Sequence, residues 1–494
     1  MKYLSTRDAS LRLSAAEAIV MGLARDGGLY TPVEFPALPQ GALEELMNMS
    51  YPERAAYIMK LYLDEFTEEE LKGFTEKGYA CPEKFDTDAV APVVPLNENT
   101  SVLELWHGPT CAFKDMALQM LPYLLSASLK KTGEDKTVCI LVATSGDTGK
   151  AALEGFRDVE QTKILVFFPK DGVSEIQQLQ MVTQEGDNVG VCSVIGNFDD
   201  AQTGVKKIFS DEAIREALAE KGYFLSSANS INWGRILPQV VYYISAYCDL
   251  CKEGKITLGE KVNFCVPTGN FGNILAGYFA KLMGLPVAKL ICASNANNVL
   301  TDFIATGTYD RNRPFYNTTS PSMDILISSN LERLLYLLSG SDEEVRCYMQ
   351  SLNETGRYTV SAELLEKLHE TFECGCCDDE QVAGIIGKHF AAGYLMDPHT
   401  AVAEGVLESY REKSGDETLT VVVSTASPFK FCTSVLDAIG ITEHKPGTEV
   451  LEQMAQATGC AAPRPLATLA GKAVRFDGVT EKQDMPQVVT EFLK

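Results

Sequence analysis

Lys114 sits in the run Trp106-His107-Gly108-Pro109-Thr110-Cys111-Ala112-Phe113-Lys114-Asp115. A strand-like segment (residues 101–105) precedes it, and an apolar-periodic helix is expected to open around Phe113. Lys114 then falls in the first helical turn, where the positive end of the helix dipole disfavours another cation. An amine placed there behind Phe, Met and Leu side chains is expected to have a lowered pKa, the condition for nucleophilic use in Schiff-base chemistry. A lone first-turn lysine is more often simply solvated, so the weight must come from the rest of the chain.

Three further segments run from a short apolar stretch into small polar residues and then a helix. They are Val142-Ala143-Thr144-Ser145-Gly146-Asp147-Thr148-Gly149, Val266-Pro267-Thr268-Gly269-Asn270-Phe271-Gly272-Asn273 and Val423-Ser424-Thr425-Ala426-Ser427-Pro428-Phe429. In an open α/β sheet, ligands bind outside the carboxyl ends of the strands. Such residues also make ordinary caps and turns. A nucleotide phosphate loop is excluded in the first segment: Thr144 stands at the first glycine position, and Ala151 follows Lys150 where Ser or Thr is needed. Gly269 to Gly272 lacks the dinucleotide-binding spacing. What remains is an anion cradle, glycines giving unusual φ and backbone N–H groups aimed at a phosphate. A fourth segment, Ser226 to Arg235, brings Asn229, Ser230 and Arg235 to a helix start. It reads as a second anion site or as a cap beside a surface arginine. Two anion sites with an imine-forming lysine point to pyridoxal phosphate and a phosphorylated or carboxylated substrate.

Short apolar runs without alternation, at residues 138–143, 164–168, 189–195, 262–266, 290–293 and 419–424, alternate with helical segments such as 174–182 and 239–250. That repeat specifies an α/β fold with a doubly wound, mostly parallel sheet. Residues 1–95 read as a helical, acidic N-terminal domain, with a capping box at Ser14 and Glu17. The catalytic region is expected over residues 96–440, interrupted at about 300–395 by a helical insertion without strands. A turn-rich extension, residues 441–494, ends in a short helix.

The net charge of −24, from 67 acidic and 43 basic residues, argues against nucleic acid or an anionic membrane as a general partner. It leaves room for a phosphorylated small molecule held by a few local groups. No run approaches the ~18 uninterrupted apolar residues of a membrane span, and the polar first residues lack a signal-peptide core, so a cytoplasmic protein is expected. The 14 cysteines then read as reduced thiols. The cluster Cys374-Gly375-Cys376-Cys377 has only His369 and His389 near it in sequence, not the spacing of a zinc site, and no metal is expected.

Taken together and in order, these segments resemble the threonine synthase family. The likeness covers nearly the full length and includes Asp26-Gly27-Gly28-Leu29-Tyr30 in the N-terminal region. It implies the tryptophan-synthase-β type of pyridoxal enzyme, with two lobes around a cofactor cleft, and makes Lys114 the cofactor lysine. By the same likeness Gly269, Asn270, Phe271, Gly272 and Asn273 hold the cofactor phosphate, and Thr425 faces the pyridine nitrogen. Ser145, Gly146 and Thr148 bind the substrate carboxylate, with Asp147 near the cofactor 3′-oxygen, where related enzymes of the fold commonly carry Asn. Asn229, Ser230 and Arg235 hold a substrate phosphate. His399, in Asp397-Pro398-His399-Thr400, also matches, but a capped helix start explains that segment and it is not assigned to the site. The implied reaction converts O-phospho-L-homoserine and water to L-threonine and phosphate. The alternatives are a dehydratase or β-replacement enzyme of the same fold, and a catalytically silent binding protein. Oligomeric state is not legible.

Overall fold

The apolar runs become the buried middles of two sheets in the computed structural model, which describes residues 1–170 and 173–494. The first sheet has six strands in the order Phe372–Cys376, Val287–Ser294, Val262–Pro267, Thr420–Ser424, Thr100–Glu104 and Val93–Pro95. All neighbours are parallel except Val93–Pro95, which runs antiparallel to Thr100–Glu104. The second sheet has five strands, all parallel, in the order Val479–Thr480, Val189–Val194, Thr162–Pro169, Thr137–Ala143 and Tyr223–Ser226. Every residue of Val262–Pro267 and of Thr420–Ser424 is buried, which is why these strands show no polar alternation.

Register then decides what meets at the strand ends. Ser424 pairs with Glu104, and beyond them the two chains stay zipped together. Leu105 N donates to Ser424 O, Phe113 N to Thr425 O at 2.8 Å, and Ser427 N to Cys111 O at 3.0 Å. Lys114 is thereby fixed beside Thr425. The helix expected around Phe113 starts instead at Asp115 and lasts four residues, Asp115–Leu118, before Leu121–Thr132 takes over. So short a helix has little macrodipole, and the field on Lys114 must come from elsewhere.

The N-terminal region carries the expected helices, with both halves of the Ser14–Glu17 capping box formed. It also holds an antiparallel sheet, Asp8–Leu13, Tyr3–Ser5 and Tyr30–Pro32, two of whose strands are only three residues long and the third partly exposed, so they leave little apolar signal. Tyr3, Tyr62 and Phe279 pack on Trp233 with ring centroids 5.2, 5.6 and 5.9 Å away. That cluster seats the N-terminal region on the start of the buried helix Trp233–Lys252. Two corrections follow. The stretch 300–395 does contain strands: Thr308–Asp310 pairs with Arg357–Thr359, and Phe372–Cys376 forms an edge of the six-stranded sheet. Its Phe-Glu-Cys-Gly-Cys composition lacks the Val/Ile enrichment that marks strands. The residues after 440 are not only an extension, because Val479–Thr480 adds a strand to the second sheet. Among the described residues no helix is long and apolar enough to cross a membrane.

The helix Asp147–Phe156 packs closely on the residues that follow Lys114, because Gly155 has no side chain. A β-carbon there would stand 2.0 Å from the Leu118 carbonyl oxygen, a backbone atom that cannot swing aside. Gly155→Ala is expected to destabilise the protein by about 1–3 kcal/mol through overpacking, read as a lower midpoint in denaturant unfolding. An unchanged midpoint would show that this helix slides freely.

Candidate active site

Loops from both sheets surround a cleft of about 280 Å³. Lys114 Nζ lies in its wall, 3.2 Å from Ser322 Oγ and 3.7 Å from Asp147 Oδ2. Burial pushes the Lys114 ammonium below its ordinary pKa, the nearby Lys430 and Arg235 charges push the same way, and Asp147 pulls against them. The lowered pKa therefore has a desolvation origin.

Asp147 lies behind Lys114. Its Oδ1 accepts from Lys430 Nζ and from Gln177 Nε2, each at 2.8 Å. Ser322 Oγ stands 3.4 Å from Oδ2. Burial alone would raise this carboxyl, but the ammonium groups of Lys430 and Lys114 outweigh it and hold Asp147 well below the usual carboxylate range. Lys430 is wholly enclosed and also donates to Thr110 O at 2.8 Å and Gln180 Oε1 at 3.1 Å. The turn before Lys114 is folded around Asp115, which accepts from Thr110 N and Oγ1 at 2.8 and 2.7 Å. Burial lifts the Asp115 carboxyl to about 6. Gly108 is required at this turn, since a β-carbon would come within 2.6 Å of Asp115 Oδ2.

Opposite Lys114, Phe271 adopts φ +61° and the helix Gly272–Leu282 begins. A side chain on Gly269 would strike Ser322 O at 2.7 Å. Asn273 Oδ1 accepts from the hydroxyls of Tyr242 and Tyr243 at 2.6 and 2.7 Å. That fixes the amide so that Nδ2, buried and without a partner, remains as a donor. Farther along the wall Arg235 is buried. Its Nη1 donates to Ala228 O, its Nε has no partner, and among the described residues no carboxylate pairs with it. Burial pulls this guanidinium down to about 10.

Lys114, Ser145, Thr148 and Thr425 line the cleft, and so do Asn229, Ser230, Arg235 and the stretch Gly269 to Asn273. Asp147 touches the site through Lys114 and Ser322. Gly146 does not reach the wall. Its N–H is spent on Thr144 Oγ1 at 3.0 Å, its φ is +141°, and a β-carbon would run into Gln177, so it shapes the turn and leaves no amide for a ligand.

Several residues at the cleft had no sequence signal. Ser322 lies on a single-turn 3₁₀ helix. Asn330 Nδ2 donates to Asn270 O at 3.0 Å and Ser230 Oγ at 3.2 Å, and its Oδ1 is held by Arg333. Arg333 also donates to Tyr30 O at 2.9 Å and Ile231 O at 2.6 Å. This pair ties the cradle, the Arg235 segment and the N-terminal sheet together. His399 is in the wall as well as at a capped helix start. Its Nε2 accepts from Ser322 N at 3.2 Å, so Nδ1 carries the proton toward Asp397 Oδ1, 2.8 Å away. Lys430 could have been sought as a cation four residues after the Thr425-Ala426 turn, but nothing in the sequence pairs it with Asp147.

A lysine with a lowered pKa faces a glycine-rich cradle that presents one unpartnered amide donor. These features fit a cofactor bearing an aldehyde and a phosphate, and they define the two-lobed class of pyridoxal-phosphate-dependent enzymes. Residues 92–368 match the family described as pyridoxal-phosphate dependent enzyme, and residues 2–79 match the threonine synthase N terminus. The chain is 38% identical to threonine synthase of Schizosaccharomyces pombe over 485 residues, covering 91% of this chain and 92% of that one. It aligns with the crystal structure of PLP-bound threonine synthase from Brucella melitensis at a TM-score of 0.88 and 38% identity, over 100% of both chains. It is also 41% identical to human threonine synthase-like 1 across 89% of this chain, but spans only 61% of that protein's length. The chain belongs to the threonine synthase family.

Lys430→Met keeps the volume and removes one partner of a buried pair. Breaking such a pair is expected to cost roughly 3–5 kcal/mol, because Asp147 keeps its burial with less compensation. The double variant Lys430→Met/Asp147→Asn should recover much of that loss. Denaturant unfolding of the holoenzyme and its variants checks the coupling, and strictly additive losses would show that the two groups act independently.

Proposed function

We propose that this protein converts O-phospho-L-homoserine and water to L-threonine and phosphate, the reaction implied by the name its relatives carry. One observation carries the reading: two separate donors without a partner among the described residues, Asn273 Nδ2 and Arg235 Nε, belong to residues lining the cleft that also holds Lys114. One phosphate belongs to the cofactor, and a second anion is needed for Arg235.

In this reading Lys114, Gly269 to Asn273 and Thr425 would hold pyridoxal phosphate, Lys114 at its aldehyde, the glycine-rich cradle at its phosphate and Thr425 at its ring. The bound cofactor supplies an electron sink that makes loss of a substrate α-proton accessible. Lys114, kept less basic by burial, would take the substrate's α-proton and later return it. Ser322 and Asp147 confine the Lys114 amine within 3.2 and 3.7 Å. Ser145 and Thr148 receive the substrate carboxylate. Asn229, Ser230 and Arg235 receive the substrate phosphate and stabilise its charge as it leaves the γ-carbon. Water adds at the β-carbon.

Purified holoenzyme given O-phospho-L-homoserine should release threonine and phosphate in equal amounts, and borohydride should fix the pyridoxyl group on Lys114, found by peptide mapping. Oxobutyrate and ammonia in place of threonine would assign a dehydratase, and no product at all would assign a binding protein.

Arg235→Ala separates substrate recognition from cofactor binding. Hydrogen bonds to charged groups contribute roughly 1.5–3 kcal/mol, so kcat/KM should fall about 10- to 150-fold. Much of the loss should appear in kcat, since the contact strengthens as the phosphate gains charge. Steady-state kinetics with the cofactor absorbance unchanged is the expected outcome. A lost cofactor band would move Arg235 to the cofactor instead.

A further inference from the structure

We propose a divalent-cation site formed by His389, Glu404 and Glu408, between the helices Asp379–Ala391 and Pro398–Ser414. Glu404 and Glu408 are four residues apart and share one face of their helix. His389 Nε2 points at both, 3.6 Å from Glu404 Oε1 and 3.9 Å from Glu408 Oε1. The three ligand atoms lie within 4.8 Å of one another. This cluster is outside the cleft and takes no part in the reaction above.

The second observation is what these groups lack. His389 is 7% and Glu404 3% exposed, yet among the described residues His389 Nε2 and Glu404 Oε2 have no hydrogen-bond partner. A buried polar atom without a partner is costly, and here a nitrogen and a carboxylate oxygen lone pair converge. His389 Nε2 and Glu404 Oε1, 3.6 Å apart, are too far from each other for a hydrogen bond. A tetrahedral zinc with ligands at about 2.0–2.1 Å places its ligand atoms roughly 3.3 Å apart. His389 Nε2 would have to close by about 0.3 Å on Glu404 Oε1 and about 0.6 Å on Glu408 Oε1 to reach that spacing.

The ligand set selects the ion. One imidazole and two carboxylates suit Zn²⁺ or a similar borderline metal, whereas Ca²⁺ and Mg²⁺ favour all-oxygen cages. Glu408 is the partly exposed member, and the open position lies on that side, available to a water. Two cations bear on the site. Lys388 Nζ sits 2.5 Å from Glu408 Oε1 on an otherwise exposed side chain, so it competes for the same oxygen and can swing into solvent. Arg411 is held to Thr100 and Asn99 and partly offsets the Glu404 charge. His399 begins the same helix, five residues or about 7.5 Å along its axis before Glu404. A bound ion would thus clamp the helix whose first turn reaches the active-site cleft.

The test uses holoenzyme stripped of metal with a chelator and titrated with Co²⁺. The expected result is one ion per chain, with the d–d absorption of four-coordinate cobalt, no thiolate-to-cobalt charge transfer, displacement by Zn²⁺, and unchanged cofactor absorption. Glu404→Gln should weaken binding by at least about 10–100-fold, the loss that even outer-shell changes cause. Lys388→Met, at an exposed position, should tighten binding severalfold by removing the competing ammonium. The proposal is overturned by absence of stoichiometric binding, by thiolate charge transfer, or by an affinity that Glu404→Gln leaves unaltered. Should Glu404→Gln fail to fold, an affinity that Lys388→Met leaves unaltered overturns it as well.

Discussion

The charge on Asp147 organises this protein. Two lysines, Lys114 and Lys430, are removed from water within reach of that one carboxylate, and an ammonium without a counter-charge in such a place would cost several kcal/mol. Asp147 can serve both only because Gln177 completes its Oδ1 and Ser322 approaches its Oδ2. The groups so gathered come from both lobes. Asp147 and Gln177 follow strands of the five-stranded sheet, while Lys114 and Lys430 follow adjacent strands of the six-stranded one. The lobes are joined by an electrostatic bolt whose middle is the carboxylate beside the Lys114 amine. Asp in place of the Asn common to the wider fold is thus matched by a buried lysine. The local charge is balanced inside the protein and need not be met by the ligand.

Arg235 obeys the opposite rule. It is as buried as Lys430 but has no acidic partner among the described residues, and its guanidinium is held by a carbonyl and the structure around it. A cation kept unmatched at the wall of a cleft makes that wall selective for anions, at a cost to the folded state that other contacts must offset. Asn330 and Arg333 provide such contacts, linking the cradle, the Asn229–Arg235 segment and the N-terminal sheet through hydrogen bonds of 2.6 to 3.2 Å. The N-terminal region is therefore part of what fixes the spacing between the Gly269–Asn273 loop and Arg235.

The sequence shows the parts of this arrangement that obey periodicity and local chemistry. Buried parallel strands such as Thr420–Ser424 were legible because apolar runs covered on both faces look like little else. Lys114 and the cradle were legible because their residue types are unusual at strand ends. Lys430, Ser322, Asn330 and Arg333 were not, since each acts through a partner 100 or more residues away, and no local pattern encodes that pairing. Phe372–Cys376 escaped because an edge strand needs only one neighbour and tolerates Gly and Cys. The lowered pKa of Lys114 was foreseen, but from a dipole; a four-residue helix cannot supply one, and burial does.

The strand Thr420–Ser424 lies between Val262–Pro267 and Thr100–Glu104, although it follows both by more than 150 residues. A ribosome making this chain therefore exposes two half-sheets, each with a long apolar edge, until residue 424 has emerged. Val479–Thr480 closes the other sheet later still. For most of its synthesis the nascent protein carries unpaired strand edges that invite pairing with other chains. The central strand that brings Thr425 to Lys114 is also the last piece of its sheet to arrive. Completion of the cleft around Lys114 and burial of the hazardous edge are then the same folding event.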